Sequence, residues 1–110
     1  APARSISVPF GDSVRIECLV EACPRTVNFW MKDNAMLTPG EKYKIEESMQ
    51  HYYLLQMVLI IKRFTPKDVG TYMCHVKSSL GLANESIELY GSFDLGSSYD
   101  FNEIGRASCR

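Results

Sequence analysis

Two cysteines that share the same phase in two predicted strands constrain the fold of this 110-residue chain more than any other feature. In residues 13–21 apolar side chains alternate with charged ones, which is the period-2 pattern of a half-buried strand, and Cys18 has the apolar phase. Cys74 has the apolar phase in residues 71–78. A bridge between these cysteines would join two layers and close a long loop, which stabilises a fold by about 4 kcal/mol in the chain-entropy picture.

The remaining strand signals are short, and turn residues separate them. No helical periodicity extends beyond a single turn, and the last two predicted strands form a hairpin about Ser79-Leu80-Gly81. This pattern predicts an all-β domain, either a sandwich or a barrel. The other predicted strands are residues 27–32, 43–46, 53–62 and 82–90.

Composition argues against several classes of function. The net charge of −1 leaves no basic surface for nucleic acid, and no apolar run approaches the ~20 residues that span a bilayer. The start of the chain lacks the apolar core of a signal peptide. We therefore expect a piece of a larger protein, attached to a membrane only through an anchor outside this segment.

Motifs for catalysis or for a cofactor are not found. The four cysteines form no C-x-x-C pair, and only His51 and His75 supply imidazoles, so no metal site is expected. The sequence contains no G-x-S-x-G elbow, no phosphate-binding glycine loop and no H-E-x-x-H motif. We predict that the domain is not an enzyme and needs no cofactor.

Four further residues have physical roles that fit a two-layer sandwich. Trp30 follows the first core cysteine by twelve residues, where its indole can pack against the bridge. Tyr72 precedes the second by two residues, and its hydroxyl can turn back to a backbone group near Asp68, the arrangement known as a tyrosine corner. Asp68 would be poorly solvated at the end of the sandwich, and Lys42 is its expected cationic partner.

These residues resemble the I-set of the immunoglobulin superfamily. The resemblance covers residues 6–90, and it rests on the cysteine pair, the tryptophan and the D-x-G-x-Y-x-C motif at residues 68–74. Within the superfamily, several stretches are similar to the lachesin, amalgam and IgLON group, which includes the arthropod DPR-interacting proteins. These stretches are residues 11–18, 20–22, 24–30, 42–44, 79–81 and 87–90. The third, membrane-proximal domain of those proteins looks most similar.

The resemblance implies an immunoglobulin-like (I-set) antiparallel β-sandwich over residues 1–90. It also implies a glycoprotein setting, extracellular at the cell surface or secreted, with neighbouring immunoglobulin domains in the full chain. The implied function is neuronal protein–protein recognition, with a homophilic or heterophilic cell-surface partner. Residues 91–110 are predicted to be a flexible stem or linker, or an added tail.

Strict alternation around Trp30 also predicts a surface for a partner. Phe29 and Met31 on one strand, with Met73 and His75 on the facing strand, are expected to point outward as an apolar patch. Alternatively, a strand irregularity tucks Phe29 into the core, or the apolar side chains are scattered surface residues. His75 fits a solvated side chain better than a pH switch.

The surface carries two further features that bear on binding. Asn84-Glu85-Ser86 is a sequon for N-linked glycosylation, and a glycan at Asn84 would shield part of the patch. The outward residues of the opposite sheet are expected to be mostly charged, as in Arg15, Glu17 and Lys62, with Val58 and Ile60 as exceptions. The lysines and Arg63 spread over several elements and are interpreted as a solvated face.

Two other functions remain open beside recognition. The domain could be a structural spacer without a ligand of its own, or an intracellular muscle-type I-set repeat. The sequon and the paired core cysteines argue against the intracellular repeat. Cys23 and Cys109 are not expected to bond to each other, because nothing after Tyr90 indicates a strand that would bring Cys109 back.

Overall fold

The computed structural model describes residues 5–21, 27–51, 54–79, 81–93 and 103–108. Within these ranges the chain forms strands joined by turns, with one 3-10 helix at Pro66–Asp68. The strands are β1 (Ser5–Pro9), β2 (Val14–Glu21), β3 (Val27–Lys32), β4 (Ala35–Met36), β5 (Tyr43–His51), β6 (Leu54–Ile61), β7 (Gly70–Ser78), β8 (Gly81–Ser92) and β9 (Glu103–Ser108).

The strands form two sheets. The first sheet has the order β1-β8-β7-β3-β4, and the second has the order β5-β6-β2-β9. β1 runs parallel to β8 and β9 runs parallel to β2, while the other neighbouring strands are antiparallel. The predicted fold class, an all-β immunoglobulin-like sandwich, is confirmed.

The core lies between the two sheets and follows the alternation of the strands. Cys18 and Cys74 are fully buried and form a disulfide with a Cα–Cα distance of 6.5 Å, as expected from their phase. Trp30 lies directly opposite Cys74 in the register of β3 and β7, and it is 1% exposed. Each large apolar side chain buried in this way contributes roughly 1.5–3 kcal/mol. The bridge and the indole therefore lie in one continuous cluster with the inward side chains of both sheets.

β1, β4 and β5 differ from the strands that the sequence predicts. β5 continues to His51 rather than ending at residue 46, because its ladder with β6 extends the hairpin as far as the His51–Leu54 pair. β1 and β4 were not predicted. β4 has only two residues, and β1 depends on parallel pairing with β8 at the far end of the chain, which leaves no local pattern.

The end of the chain also differs from the expectation of a flexible tail. β8 runs on to Ser92, and β9 pairs with β2 along the edge of the second sheet, where Glu21 faces Ser108. An edge strand exposes unpaired backbone groups, and β9 occupies that edge of β2. β9 is the outermost strand of the second sheet, so it extends that sheet at its edge. Cys23 and Cys109 lie outside the described residues.

Candidate recognition face and its supporting corner

A buried carboxylate anchors one end of the sandwich. Asp68 is 4% exposed, and its Oδ2 accepts hydrogen bonds from the Thr65 backbone N–H at 2.8 Å and from the Thr65 hydroxyl at 3.0 Å. The same oxygen is 2.6 Å from Lys42 Nζ, which also donates to the Arg63 carbonyl at 2.8 Å. The ion pair expected between Lys42 and Asp68 is therefore present, and it ties the start of β5 to the loop before β7.

The tyrosine corner lies beside this carboxylate. The Tyr72 hydroxyl donates to the Asp68 carbonyl at 2.7 Å, the hydrogen bond expected from the sequence. Burial raises the pKa of Tyr72 well above its ordinary range, and the neighbouring Tyr43 and Asp68 add to the effect. Burial followed by the charge of Asp68 also raises the pKa of Tyr43. Both phenols are therefore held in the neutral, donating form, and the corner fixes β7 relative to β5.

The outward-pointing side chains of β3, β4, β7 and β8 make one surface of the first sheet, called the outer face below. Strand register places these side chains in three cross-strand rows, since residues directly opposite one another point to the same side of a sheet. The rows are Val27–Lys77–Leu82, Phe29–His75–Asn84 and Met36–Met31–Met73–Ser86.

The four residues predicted to bind a partner come together at the centre of the outer face. Phe29, Met31, Met73 and His75 are each partly exposed. The rings of Phe29 and His75 stack at a centroid distance of 5.0 Å and an interplanar angle of 2°. The alternative that an irregular strand buries Phe29 in the core is wrong, because β3 and β7 pair without a break in register. The stack on His75 covers part of Phe29 instead.

The sequence analysis missed two apolar residues of the outer face, Leu82 and Met36. It predicted that Val27 points outward but did not include Val27 among the residues that bind a partner. Leu82 is 55% exposed, Met36 is 61% exposed, and Val27, whose outward phase was predicted, is 66% exposed. The phase of Leu82 was available from the sequence, because it alternates with the inward Ala83 of the same strand. Met36 had no such signal, since β4 is too short to show a period.

The sequon lies within the outer face. Asn84 is exposed and faces His75 across the β7–β8 ladder, while Ser86 faces Met73. Glu85, between them, has the opposite phase and is partly exposed. The acceptor amide of the sequon is therefore the third member of the row that contains the Phe29–His75 stack.

The outer side of the second sheet has a different character. Lys44 and Glu46 form an exposed pair at 3.5 Å. Glu17 was expected to be an exposed charge and is only 3% exposed, because its Oε2 accepts hydrogen bonds from Gln56 at 2.8 Å and Arg15 at 3.3 Å. Val58, expected to point outward, is 5% exposed. Ile60, also expected to point outward, is partly exposed, as are Leu19 and Leu54 of the same sheet. The outer side of the second sheet therefore mixes charged pairs with partly exposed apolar side chains.

Within the described ranges, no group of three or more histidine, cysteine, aspartate or glutamate side chains is arranged to hold a metal ion. The same ranges contain no helix long and apolar enough to cross a membrane.

The two sheets, the disulfide between them, the packed tryptophan and the tyrosine corner define a sandwich domain of the immunoglobulin type. Residues 1–90 match the family model of the immunoglobulin I-set domain, and the chain belongs to that family.

Known proteins similar to this chain come from both cell-surface and muscle settings. Fibroblast growth factor receptor-like 1 of Gallus gallus is 33% identical over 86 residues, which is 78% of this chain and 16% of that protein. The solved complex of Dpr2 Ig1-Ig2 with DIP-Theta Ig1-Ig3 matches with a TM-score of 0.74 at 30% identity, over 84% of this chain and 31% of that one. Titin domain M7 matches with a TM-score of 0.67 at 28% identity, over 84% of this chain and 89% of that one.

Proposed function

We propose that this domain is an extracellular module of a cell-surface adhesion or recognition protein and that it binds another protein through the outer face. The observation that supports the proposal most directly is the run of outward apolar side chains along β3, Val27, Phe29 and Met31, with Met36 and Met73 directly opposite Met31. The proposed contact centres on Phe29, Met31, Met73 and His75, with Val27, Met36 and Leu82 around them.

The charge distribution of the outer face favours a protein partner. Lys77 is the one residue with a formal charge in the three rows, and the exposed Glu88 faces Thr71 in the next row of the same face. Both charges lie outside the two central rows, so burial of those rows desolvates no formally charged group. Aromatic residues and methionines are enriched in the buried centres of interfaces, where a few large side chains carry most of the binding energy. Flexible methionine side chains such as Met31 and Met73 also adapt their shape to a partner.

The disulfide and the relatives support the proposed extracellular setting of the domain. A buried bridge between Cys18 and Cys74 forms and persists in oxidising compartments, which favours secretion over the cytosol. A receptor-like protein and a complex of immunoglobulin-domain proteins are among the matches, and that complex is itself an assembly of such domains. The finer proposal, neuronal recognition with a homophilic or heterophilic partner, rests on the resemblance to the DPR-interacting proteins.

A structural spacer is the second candidate. Its support is the match to a titin domain together with the partial burial of all four central residues of the outer face. A spacer would hold a more distant binding domain away from the membrane and would leave the outer face in contact with solvent.

A paired substitution separates the two functions. The variant Phe29→Ser with Met73→Ser removes the centre of the outer face, and Met49→Ser is the matched control, since Met49 is 62% exposed on the second sheet. The probe is a tetramer of this domain applied to cells that display the same domain, and to a panel of displayed ectodomains from the same organism. Circular dichroism and thermal melts first establish that each variant folds.

We expect binding to fall at least about 10-fold in the paired variant, since two central side chains at about 1 kcal/mol or more each exceed that factor. The Met49→Ser control should bind like the native domain. The decisive comparison is made with Asn84→Gln in every protein, so that a glycan at the sequon cannot cover the face. If the Asn84→Gln domain binds neither its own copy nor any displayed ectodomain, or if the paired variant binds unchanged in that background, the recognition face is rejected and the spacer function gains.

A further inference from the structure

We infer that Asn84 carries an N-linked glycan whose innermost sugar lies on the Phe29–His75 stack and limits access to the outer face. This inference rests on the extracellular setting of the proposed function. It adds a modification site to the outer face and a means by which the cell can regulate contacts through it.

Strand register puts the acceptor amide next to a flat aromatic surface. Asn84 faces His75 directly across an antiparallel ladder, where Cβ atoms are separated by about 4.5–5.5 Å. His75 in turn stacks on Phe29 with nearly parallel rings, 5.0 Å apart. Side chains of a strand stand roughly perpendicular to the sheet, so the Asn84 amide and the two rings project from the same side.

The accessibility of Asn84 and the chemistry of its amide both suit the transfer of an oligosaccharide to this residue. Asn84 is exposed, and Ser86 completes the sequon. The donor is an oligosaccharide bound through its anomeric carbon to a lipid diphosphate. The amide nitrogen of Asn84 forms a bond to that carbon, the bond from the carbon to the diphosphate oxygen breaks, and the lipid diphosphate leaves with the electron pair. The amide loses one proton to a base, and no oxidant or reductant takes part.

The position of the sugar determines what it covers. A pyranose ring has an apolar C–H face that can pack on an aromatic surface, and the nearest such surface to Asn84 is His75 with Phe29. Met73 lies one row away, opposite Ser86, so a sugar packed on the stack would extend over it. Val27 and Met36 lie on β3 and β4, further from the attachment point. The glycan therefore shields the centre of the outer face and leaves its rim.

The first part of the test is occupancy. The native domain, Asn84→Gln, Ser86→Ala and Ser86→Thr are secreted from a glycosylating eukaryotic cell line and weighed intact by mass spectrometry. Ser86→Thr is the matched control, because threonine preserves the sequon while alanine destroys it. The native domain and Ser86→Thr should carry a glycan, and the other two variants should not. If the secreted native domain lacks the glycan, the inference is overturned while the recognition face is untouched.

The second part measures where the glycan lies. The four proteins are treated with dilute hydrogen peroxide, and oxidation of Met73 and Met49 is followed by peptide mass spectrometry. Met73 should oxidise at least about three-fold faster in Asn84→Gln and Ser86→Ala than in the two glycosylated proteins, because oxidation follows exposure of the sulfur. Met49, on the second sheet, should oxidise at one rate in all four. A glycan that leaves the Met73 rate unchanged points away from the stack and overturns the inference.

The two hypotheses fail separately. The glycan is judged by mass and by Met73 oxidation, and neither needs a binding partner. The recognition face is judged by binding of the Phe29→Ser with Met73→Ser variant, which can also be measured in the Asn84→Gln background.

Discussion

The substitution Lys42→Met tests whether the buried carboxylate of Asp68 depends on its cation. It removes an ammonium 2.6 Å from a carboxylate whose side chain is 6% exposed, and it retains most of the aliphatic stem. The chain offers a matched control in Lys44→Met. Lys44 is two residues away on β5, and its pair with Glu46 spans 3.5 Å with both side chains more than half exposed.

The expected loss follows from the burial of the two partners. Removing one partner of a fully buried ion pair costs about 3–5 kcal/mol. Lys42 is 35% exposed, and Asp68 keeps two hydrogen bonds from Thr65, so part of the charge remains compensated. Lys42 also releases its hydrogen bond to the Arg63 carbonyl. We expect a loss of roughly 1.5–3 kcal/mol for Lys42→Met, against about 0.5 kcal/mol or less for Lys44→Met.

Urea unfolding of the oxidised protein at pH 7, followed by circular dichroism, provides the measurement. With a slope of about 1–3 kcal/mol per molar urea for a small domain, the midpoint of Lys42→Met should fall by about 1 M, while Lys44→Met should unfold close to the native midpoint. Adding Asp68→Asn to Lys42→Met removes the uncompensated charge. The double variant should therefore lose less than the sum of the two single losses.

Equal midpoints for Lys42→Met and Lys44→Met would refute this reasoning. In that case the hydrogen bonds from Thr65 would be sufficient to hold the carboxylate, and the ion pair would contribute no more than an exposed one. Additive losses in the double variant would refute it as well, because they would show that the ammonium and the carboxylate do not interact energetically.

Three further predictions concern the rest of the fold. Gly70→Ala should lower stability by about 1–3 kcal/mol in thermal melts, because the new Cβ would lie 2.9 Å from Oδ2 of Asp33, a carboxylate whose Oδ1 accepts a hydrogen bond from the Thr71 backbone N–H; an unchanged melting temperature would contradict this. The raised pKa of Tyr72 should make stability fall as the pH rises above ~10, at up to about 1.4 kcal/mol per pH unit, because the unfolded chain ionises first; the pKa of the partly exposed Tyr43 is raised in the same direction and adds a smaller loss. Urea unfolding at stepwise alkaline pH is the measurement, and a midpoint that stays constant above pH ~10 would contradict this prediction. Truncation after Phe93 should shift the melting temperature by less than ~5 °C, because it removes an edge strand and leaves the ladders among β1 to β8 in place; a larger drop would show that β9 supports the domain.

The sequence predicts the centre of this molecule well because the centre follows a simple period. Cys18 and Cys74 lie on strands in which inward and outward side chains alternate, so their phase alone puts both of them in the core. The roles of Trp30 and Tyr72 were then predicted from their spacing to these two cysteines and, for Trp30, from the space that an indole can fill beside the bridge. The same alternation gave the outward phase of Phe29 and Met73, although it could not show that a ring stack would cover part of Phe29.

What the sequence did not predict depends on pairing between distant segments. β1 and β9 each run parallel to a strand that is distant in the sequence, and neither has a local pattern that indicates its partner strand. Glu17 has the phase of a solvent-facing charge, yet it is buried because Gln56 and Arg15 both donate to it. Burial of a polar side chain is set by its donors, and those donors lie on both its own strand and the neighbouring one.

The parallel ladder between β1 and β8 has a mechanical consequence. A force that pulls the two ends of the domain apart acts along these strands, so the pairs from Ser5–Glu88 to Pro9–Ser92 are loaded together in shear instead of opening one after another. Once that ladder breaks, the Cys18–Cys74 bridge keeps the loop of 56 residues closed. Only the segments outside the bridge can lengthen, at up to about 3.3–3.6 Å per residue. The domain would therefore yield abruptly and then extend by only about half of the contour length of its 110 residues, because the bridge holds the other half closed.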